Sequence, residues 1–485
     1  MVRRSKPGRK TCKQSATNAQ THELSVGQLV RVKNRDKQDL PTDRPRTSPA
    51  LFIDDTTTRM ASALPIWEAS SILTQRKDLP WSRDPNGKLC YARDVENGKG
   101  AIHFWVTEDL EHESPAILAG AAALAVINAF DIRAACMHLI YAAHSTQLDK
   151  PWEQEFVIDD RQVEEYLGLK KRTDINKQQK LALIEEIAQQ AFKITTYISW
   201  PAQGKVKGFT VEEGRLWHLL GTRYHYQQDL LGNEELIGIT FVVRAGLWAK
   251  YFLNEDRRAD LNTHCQYGTL SKTLLEDVMS VWQHREGAAR LLVWLLFKTK
   301  VDKKQSLIVQ SLMEIAYGTQ RIQAARQNSQ LRKKLANTWD EDLLTIHDKG
   351  WHLYFHPETY PKEIQPIGFG RGNHSRPRGF FEQLLSARIW INPPEELSLS
   401  AMTLKGNSQP EKRQPVLQFK TQHGLTGAEV KALRKEKGWS QRKLELVTGI
   451  NQGLICQIEN ERRPISRENQ EILERTFAMD STTGQ

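Results

Sequence analysis

Apolar residues in the middle of the chain recur at helical spacing, interrupted by short runs of β-branched and aromatic residues. The stretch from Ser114 to Ser145 predicts a long buried helix, with a candidate break near Asp131. Residues 156–158 predict a strand, and Asp160 follows as the cap of a short helix over 161–167. This part of the chain therefore begins with helix, strand and helix.

A longer helix is predicted from about 175 to 192. Two β-rich runs, 194–200 and 208–211, follow it and predict a hairpin with a basic tip. Helix, strand, helix, helix and hairpin in this order predict a winged helix. After it, 236–244 and 247–252 predict a strand that leads into an amphipathic helix with a structural role.

The same succession of elements recurs further along the chain. The pattern of 156–168 returns at 306–318, a constant offset of 318 − 168 = 150 residues. An apolar helix precedes each copy, and a long cationic helix from Ala325 to about Thr345 follows the second. The apolar positions predicted to face inward on this helix are Leu331, Leu335 and Leu343. The repeat predicts two winged helices in tandem.

The C-terminal residues predict a small bundle of helices. Thr426 caps a first helix that Gly438 ends, and a second helix has Leu444 and Val447 on its inward face. A tight turn precedes Asn451, which caps a third helix. Residues Gln452, Gly453 and Gln457 point away from the core of this third helix, and residues 466–477 form a fourth helix.

Three runs of this bundle, 433–444, 448–452 and 455–460, resemble the lambda-repressor/Cro (XRE-type) helix-turn-helix family. The resemblance implies that the third helix enters the major groove of DNA, where Gln452 is suited to adenine. It also implies a phosphate anchor at Gln441, while Gly453 departs from the family, which often has a contacting side chain there. The implied DNA-binding residues are Gln441, Arg442, Asn451, Gln452, Gln457, Asn460, Arg462 and Arg463. The alternative is a helical module that binds protein.

Cations accompany the predicted recognition helices and wings of both repeats, and a Gly- and Pro-containing loop over 370–378 carries three more. That loop either reaches DNA or is a solvated surface loop, and the cluster at 3–10 either follows phosphates or is a solvated tail. The candidate DNA-binding residues are Lys170, Lys171, Arg172, Lys177, Lys180, Lys205, Lys207, Arg326, Gln330, Lys333, Lys334, Arg371, Arg376 and Arg378.

The predicted architecture over about 114–392 resembles plasmid replication initiators of the RepA and TrfA kind. The expected fold class is mainly α (α+β), with tandem winged-helix domains followed by a small all-α helix-turn-helix domain. The expected segments are a basic, largely disordered tail (1–60), an irregular extension (61–112), winged-helix domains (113–252 and 253–392), a linker (393–424) and the helix-turn-helix domain (425–480).

Composition narrows the class of protein. The 485 residues suffice for about three domains, and 68 Lys and Arg against 58 Asp and Glu give a net charge of +10, which favours a polyanionic partner. Five scattered cysteines without a Cys-x-x-Cys motif suggest neither a disulfide framework nor a zinc ribbon. The most apolar run, 118–130, is too short to span a bilayer. We therefore expect a cytoplasmic protein, associated with the nucleoid or a plasmid, and no membrane partner.

The sequence suggests no catalytic centre. It lacks a P-loop, and neither 224–226 nor 352–356 has the histidine spacing of a rolling-circle nickase. The pair His352 and His356 lies in a predicted strand, about 13 Å apart, which disfavours zinc binding. We expect no enzyme activity, no cofactor and no metal.

The resulting functional hypothesis is a sequence-specific double-stranded DNA-binding protein. The favoured role is replication initiation at repeated origin sites, with recruitment of a host replication initiator and helicase and with a homodimer as one assembly. A transcriptional regulator is the first alternative, because the helix-turn-helix alone supports it equally. A transposition or recombination factor is the further alternative.

Overall fold

The computed structural model describes residues 44–53, 56–202, 207–228, 232–253, 267–301, 305–397, 426–448, 450–460, 465 and 467–478. The chain forms two compact units, residues 1–408 and residues 409–485. About 48% of the described residues are helical and 23% are in strands. The predicted α+β class is therefore confirmed.

Residues 61–112 are regular, although the sequence predicted an irregular layer. Strand β1 (Thr57–Ala61) leads into helix α1 (Leu64–Gln75). Strands β2 (Ser82–Arg83), β3 (Leu89–Val95) and β4 (Gly100–Val106) follow. The turn residues that suggested irregularity lie between these short strands, in tight turns that end one strand and begin the next.

Two further strands, β6 (Ile194–Trp200) and β7 (Phe209–Arg215), extend this layer into a five-stranded antiparallel sheet of order β2-β3-β4-β6-β7. The hairpin predicted over 194–211 therefore forms. Its assignment as the wing is wrong, because β6 pairs with β4 from Ala101 opposite Ser199 to Val106 opposite Ile194.

The first winged helix is built on helices α2 (Gly120–Ala129) and α3 (Ala134–Ser145), separated as predicted near Asp131. Its wing is formed by two long strands that the sequence did not pair. They join the predicted strand in a sheet of order β5-β9-β8. The remaining elements are β5 (Glu155–Asp159), α4 (Asp160–Tyr166), α5 (Lys177–Gln190), β8 (Trp217–Gln228) and β9 (Glu234–Ala245).

The sequence of wing strand β8 does not alternate in the way that typically indicates a strand, for a physical reason. Its register against β9 shifts between Leu219 and Gly221 and again between His225 and Tyr226. The first shift places the extra residue Leu220 in β8 and moves the side chains that follow it to the other face, whereas the second places the extra residue Ile237 in β9. Strand β8 therefore lacks a continuous alternation of apolar and polar residues. The cap of α4 was also misplaced by one residue: Asp159, not Asp160, accepts a hydrogen bond from the backbone N–H of Gln162.

The second winged helix repeats this topology. Its three strands have the order β11-β13-β12, which matches β5-β9-β8 strand for strand. A longer excursion with helix α12 (Phe380–Ser386) separates its last two strands. The other elements are α8 (Glu286–Val301), β11 (Leu307–Ile308), α9 (Val309–Tyr317), α10 (Thr319–Gln327), α11 (Ser329–Asp348), β12 (His352–Phe355) and β13 (Arg388–Asn392). The predicted tandem arrangement is therefore confirmed.

The recognition helices of the two repeats begin in the same way. Asn176 caps α5 and Asn328 caps α11, at an offset of 328 − 176 = 152 residues. The continuous helix predicted from Ala325 is wrong, because Asn328 has extended backbone angles and separates α10 from α11. An asparagine competes well for backbone N–H groups at a helix start, which explains the break.

The two winged helices and the N-terminal layer share one hydrophobic core within the first unit. Three further elements lie between the repeats, namely α6 (Trp248–Phe252), β10 (Tyr267–Ser271) and α7 (Lys272–Val281). Strand β10 pairs with β1 from Thr57 opposite Ser271 to Ala61 opposite Tyr267. Strand β1 is thus hydrogen-bonded directly to the segment that precedes the second repeat.

Part of the predicted tail is a structured arm. Residues 1–43 lie outside the described residues, but Ser48 donates its backbone N–H to the Val157 carbonyl at 2.8 Å and accepts the Val157 N–H on its hydroxyl at 2.9 Å. Leu51 and Phe52 are buried. Residues 44–53, which we call the N-terminal arm, therefore pack along β5 instead of belonging to a disordered tail.

The described residues of the second unit form four helices, as predicted: α13 (Gly427–Glu436), α14 (Gln441–Thr448), α15 (Gln452–Glu459) and α16 (Arg467–Ala478). Val430, Leu444, Ile455 and Leu473 form its core. The inward orientation predicted for Val447 is wrong, because this side chain is exposed.

Among the described residues, no single helix is both long and apolar enough to cross a bilayer. Only α2 and α3 taken together meet the length and composition limits, and they are bent by 84° relative to each other.

His138 joins three parts of the first unit. The side chain is fully buried on α3, its Nε2 lies 2.9 Å from the Ile66 carbonyl oxygen, and its Nδ1 lies 2.9 Å from Nε1 of Trp217. The carbonyl can only accept and the indole can only donate, so His138 is neutral with its proton on Nε2. Burial lowers the pKa of His138 to about 4.

The free energy of unfolding should therefore fall as the pH is lowered from about 6.5 towards 4. In that interval the histidine of the unfolded chain binds a proton and that of the folded chain does not. The resulting decrease in the free energy of unfolding is roughly 1–3 kcal/mol. His138→Phe should lower stability at pH 7 but flatten this pH dependence in chemical unfolding experiments. Exposed His352 provides the control as His352→Gln, and equal slopes for all three proteins would contradict the assignment.

Candidate nucleic-acid interface

The second unit presents its third helix in the manner that the sequence predicted. Thr426 caps α13 through a reciprocal bond with Glu429, and Asn451 caps α15 by accepting the Gly453 N–H at 2.9 Å. Gln452 and Gln457 are exposed on α15. Their amides are therefore accessible to base edges. Gly453, which follows Gln452, adds no side chain next to it.

The other predicted contact residues of this unit divide into three groups. Arg442 and Asn451 are exposed. Asn460 is exposed as well, but its amide donates to the carbonyl of Cys456 at 2.9 Å, at the end of α15. Arg462 and Arg463 lie outside the described residues.

Gln441 belongs to a buried polar network that the sequence did not indicate. Its Nε2 donates to Glu459 at 2.8 Å, and Arg434 donates to both oxygens of the same carboxylate at 2.5 and 2.9 Å. Burial raises the pKa of Glu459, but the hydrogen bonds from Arg434 and Gln441 outweigh it and leave that pKa below its usual value. The network fixes Gln441 at the start of α14 and leaves one of its N–H groups for another acceptor.

In the first winged helix, the predicted cations are largely neutralised within the protein. Lys170 pairs with Glu165 at 3.2 Å, Lys171 with Glu276 at 2.7 Å, and Arg172 with Asp174 at 2.7 Å. Exposed pairs of this kind are weak, but each carboxylate offsets the local positive potential. The surface next to α5 therefore carries less positive charge than its lysines and arginines alone would suggest.

Lys177 is the clearest case. Its Nζ lies 2.6 Å from both Asp160 and Glu164. Burial lowers the pKa of Lys177, but the hydrogen bonds that it donates to these carboxylates raise that pKa above its usual value, so the group stays cationic. Lys180 and Lys207 form no ion pair with any described residue, and Lys205 lies outside the described residues.

Asp160 collects donors from three elements. Its Oδ1 accepts from Arg44 of the N-terminal arm at 3.0 Å and from the backbone N–H of Ile239 in the wing at 3.0 Å. Its Oδ2 accepts from Lys177 at the start of α5. We call these four groups the Asp160 hub. The sequence showed Asp160 only as a candidate helix cap, because its partners lie more than 15 positions away in the chain.

The second winged helix offers a different surface. Gln330, Lys333 and Lys334 are exposed on the first half of α11, and neither lysine pairs with a described carboxylate. Leu335 and Leu343 are buried as predicted, but Leu331 is 46% exposed, so its predicted inward orientation is wrong. Arg326 pairs with Glu382 at 3.0 Å. The exposed face of α11 carries unpaired positive charge.

The predicted flexible basic loop over 370–378 is instead anchored. Arg371 donates to Asp340 of α11 at 2.8 Å and to the Gln365 carbonyl at 3.0 Å, and the Arg376 guanidinium bonds the same carboxylate. Burial raises the pKa of Asp340 and the two guanidiniums oppose that shift, which stays upward. Arg371 and Arg376 therefore stabilise the loop, and only Arg378 of the three is exposed.

Comparison with known proteins supports the C-terminal part of this description. Residues 430–480 match the family model described as helix-turn-helix. The predicted C-terminal helix-turn-helix domain is therefore confirmed. The match leaves the family of the rest of the chain open.

Two solved structures give weaker matches, and both are crystal structures of domains 2 and 3 of RctB. One has 10% identity and a TM-score of 0.28, covering 53% of this chain and 78% of that chain. The other has 9% identity and a TM-score of 0.30, covering 58% and 90%. TM-scores of this size do not establish a shared fold. None of the curated protein sequences compared with the chain matches it.

The buried network of the second unit should be essential for its stability. Glu459→Ala leaves the Arg434 guanidinium buried without its carboxylate, which should destabilise α13 to α15 by about 3 kcal/mol. Hydrogen–deuterium exchange of the full chain measures this directly. Exposed Glu436→Ala on α13 is the matched control, and comparable protection in the two variants would show that the network is dispensable.

Proposed function

We propose that this protein binds double-stranded DNA sequence-specifically and acts as a replication initiator at repeated origin sites. The observation that carries the proposal is the repeated topology: two winged helices with identical strand order share one unit, and a helix-turn-helix domain follows in the other. Three DNA-binding modules in one chain suit an extended or repeated target, which a single promoter half-site does not require.

The three modules contribute differently to DNA binding. The second winged helix supplies electrostatic affinity, since Lys333 and Lys334 are exposed on α11 and unpaired within the described residues. The first winged helix contributes to the shape of the binding surface and to the spacing of its contacts, since the Asp160 hub and neighbouring ion pairs neutralise most of its cations. The helix-turn-helix domain contributes base contacts through Gln452 and Gln457.

Recruitment of a host replication initiator and helicase, and assembly as a homodimer, belong to this proposal. It includes no catalytic step, cofactor or metal. The second candidate is a transcriptional regulator, favoured by the helix-turn-helix match alone. Crosslinking followed by sequencing of the bound DNA separates the two: clustered direct repeats beside an origin support initiation, and isolated inverted repeats over promoters support regulation instead.

Affinity should depend on salt mainly through the second winged helix. The double variant Lys333→Ala, Lys334→Ala should reduce the slope of log K against log salt concentration by about 2, because each lysine releases about one counterion on binding. Titrations of full-length protein with its bound DNA sequence at several salt concentrations measure the slope.

The matched control for this experiment is the double variant Lys170→Ala, Lys171→Ala. Both of these lysines are exposed, but both are already paired with carboxylates. Their removal should change the slope by less than about 1. Equal changes in the two double variants would remove α11 from the phosphate contacts.

Gln452 should determine preference at one base position. Gln452→Ala removes a bidentate amide and should cost about 1–3 kcal/mol for the preferred base while relaxing selectivity at that position. Binding measured against all four bases at each position of the site tests this. Asn460→Ala is the control, since that amide is bonded within α15; a uniform loss over all bases for Gln452→Ala would exclude base contact.

A further inference from the structure

The exposed face of α11 contains one residue that packing and charge do not explain. Leu331 is 46% exposed in the first turn of the helix, while Leu335, Trp339 and Leu343, each four residues further on, are buried. Leu331 thus continues the apolar stripe beyond the point where the protein covers it. Stability of the fold does not require an apolar side chain there.

The first repeat shows what the equivalent position does when it serves the helix itself. Gln179 stands three residues after the cap Asn176, as Leu331 stands three after Asn328. Gln179 accepts the backbone N–H of Asn176 on its side chain at 2.9 Å and completes a capping box. A leucine cannot make this bond, so Leu331 gives up a stabilising contact and leaves its side chain projecting outward.

The surroundings of Leu331 are polar and fixed. Gln330, Lys333 and Lys334 are exposed beside it. Asn328 accepts the backbone N–H groups of Gln330 and Leu331 at 2.9 and 3.2 Å. Arg332 donates to the Ala325 carbonyl at 3.2 Å and bonds the Arg326 carbonyl at 2.5 Å, which holds the corner between α10 and α11. The leucine is therefore presented on a rigid, cationic helix start.

We propose that Leu331 contacts the C5-methyl group of a thymine in the major groove and makes the second winged helix selective for thymine at one position. The first residues of a recognition helix are those that reach base edges. Thymine supplies the apolar group among the base edges of that groove, and apolar side chains contact it. The neighbouring lysines would bind the flanking phosphates. This inference rests on the proposed DNA-binding function.

Deoxyuridine substitution tests the contact at the level of one methyl group. Each thymine of the bound sequence is replaced singly by deoxyuridine, which keeps every hydrogen-bonding group, and the dissociation constant of the full-length protein is measured. At the contacted position, the dissociation constant of the wild-type protein should rise about fourfold, which corresponds to the free energy of burying one methyl carbon. Leu331→Ala should bind the thymine site correspondingly more weakly and should be insensitive to uracil at that position.

Two controls separate this outcome from an indirect effect. Leu247→Ala removes a comparably exposed leucine at the start of α6, between the two repeats, and should keep the full response to uracil. Thermal unfolding of Leu331→Ala should match wild type, because the side chain covers little core. A uracil response that persists in Leu331→Ala, or is absent from wild type, would overturn the thymine contact while leaving DNA binding intact. Failure of the wild-type protein to select any DNA would instead overturn the proposed function and this inference together.

Discussion

The first unit depends on a single buried carboxylate. A fully buried aspartate without partners is very costly, so Asp160 must be supplied with donors wherever it lies. Those donors come from the N-terminal arm, the start of α5 and the wing strand β9. The parts of a winged helix that contact DNA are its recognition helix and its wing, and in this protein one carboxylate fixes the distance between them. The arm is the third member of the same arrangement.

Two modules of the same topology differ in surface charge. The basic residues around α5 and the basic residues around α11 look alike in the sequence. In the structure the former meet carboxylates contributed by α4 and α7, whereas Lys333 and Lys334 meet none that is described. Basic residues that look alike in the sequence thus produce one largely compensated surface and one on which Lys333 and Lys334 are unpaired among the described residues. The two repeats therefore share a backbone topology but differ in the electrostatic potential of their surfaces.

Local signals in the sequence predicted the local structure well. The caps Thr426 and Asn451, the break near Asp131 and the repeat of strand and helix all depend on residues close in the chain, and the structure contains each of them. Features that depend on distant partners were missed. The wing strand β8 was hidden because the extra residue Leu220 interrupts its alternation, and the pairing of β1 with β10 joins segments about 210 residues apart.

The candidate site divides along the same line. The exposure of Gln452 and Gln457 follows from helical spacing and was predictable. The inward positions of Arg371 and Arg376 were not, because nothing near them in the sequence identifies Asp340 as their partner. A cation in a Gly- and Pro-containing loop carries no local mark that distinguishes a phosphate contact from a buried ion pair. Only the position of the carboxylate decides between them.

The N-terminal arm has a consequence for how the folded unit is delimited. Strand β5 lies at one end of its three-stranded sheet, so one side of it would otherwise present unpaired backbone groups to solvent. Ser48 occupies two of these groups at Val157, and Gln162 of α4 in turn binds the Ser48 carbonyl at 2.9 Å. Unprotected edge strands recruit other chains and promote aggregation. A fragment that begins after residue 53 would expose this edge and deprive Asp160 of Arg44 at the same time, so we expect trimming the winged-helix tandem to its repeats to reduce solubility and order together.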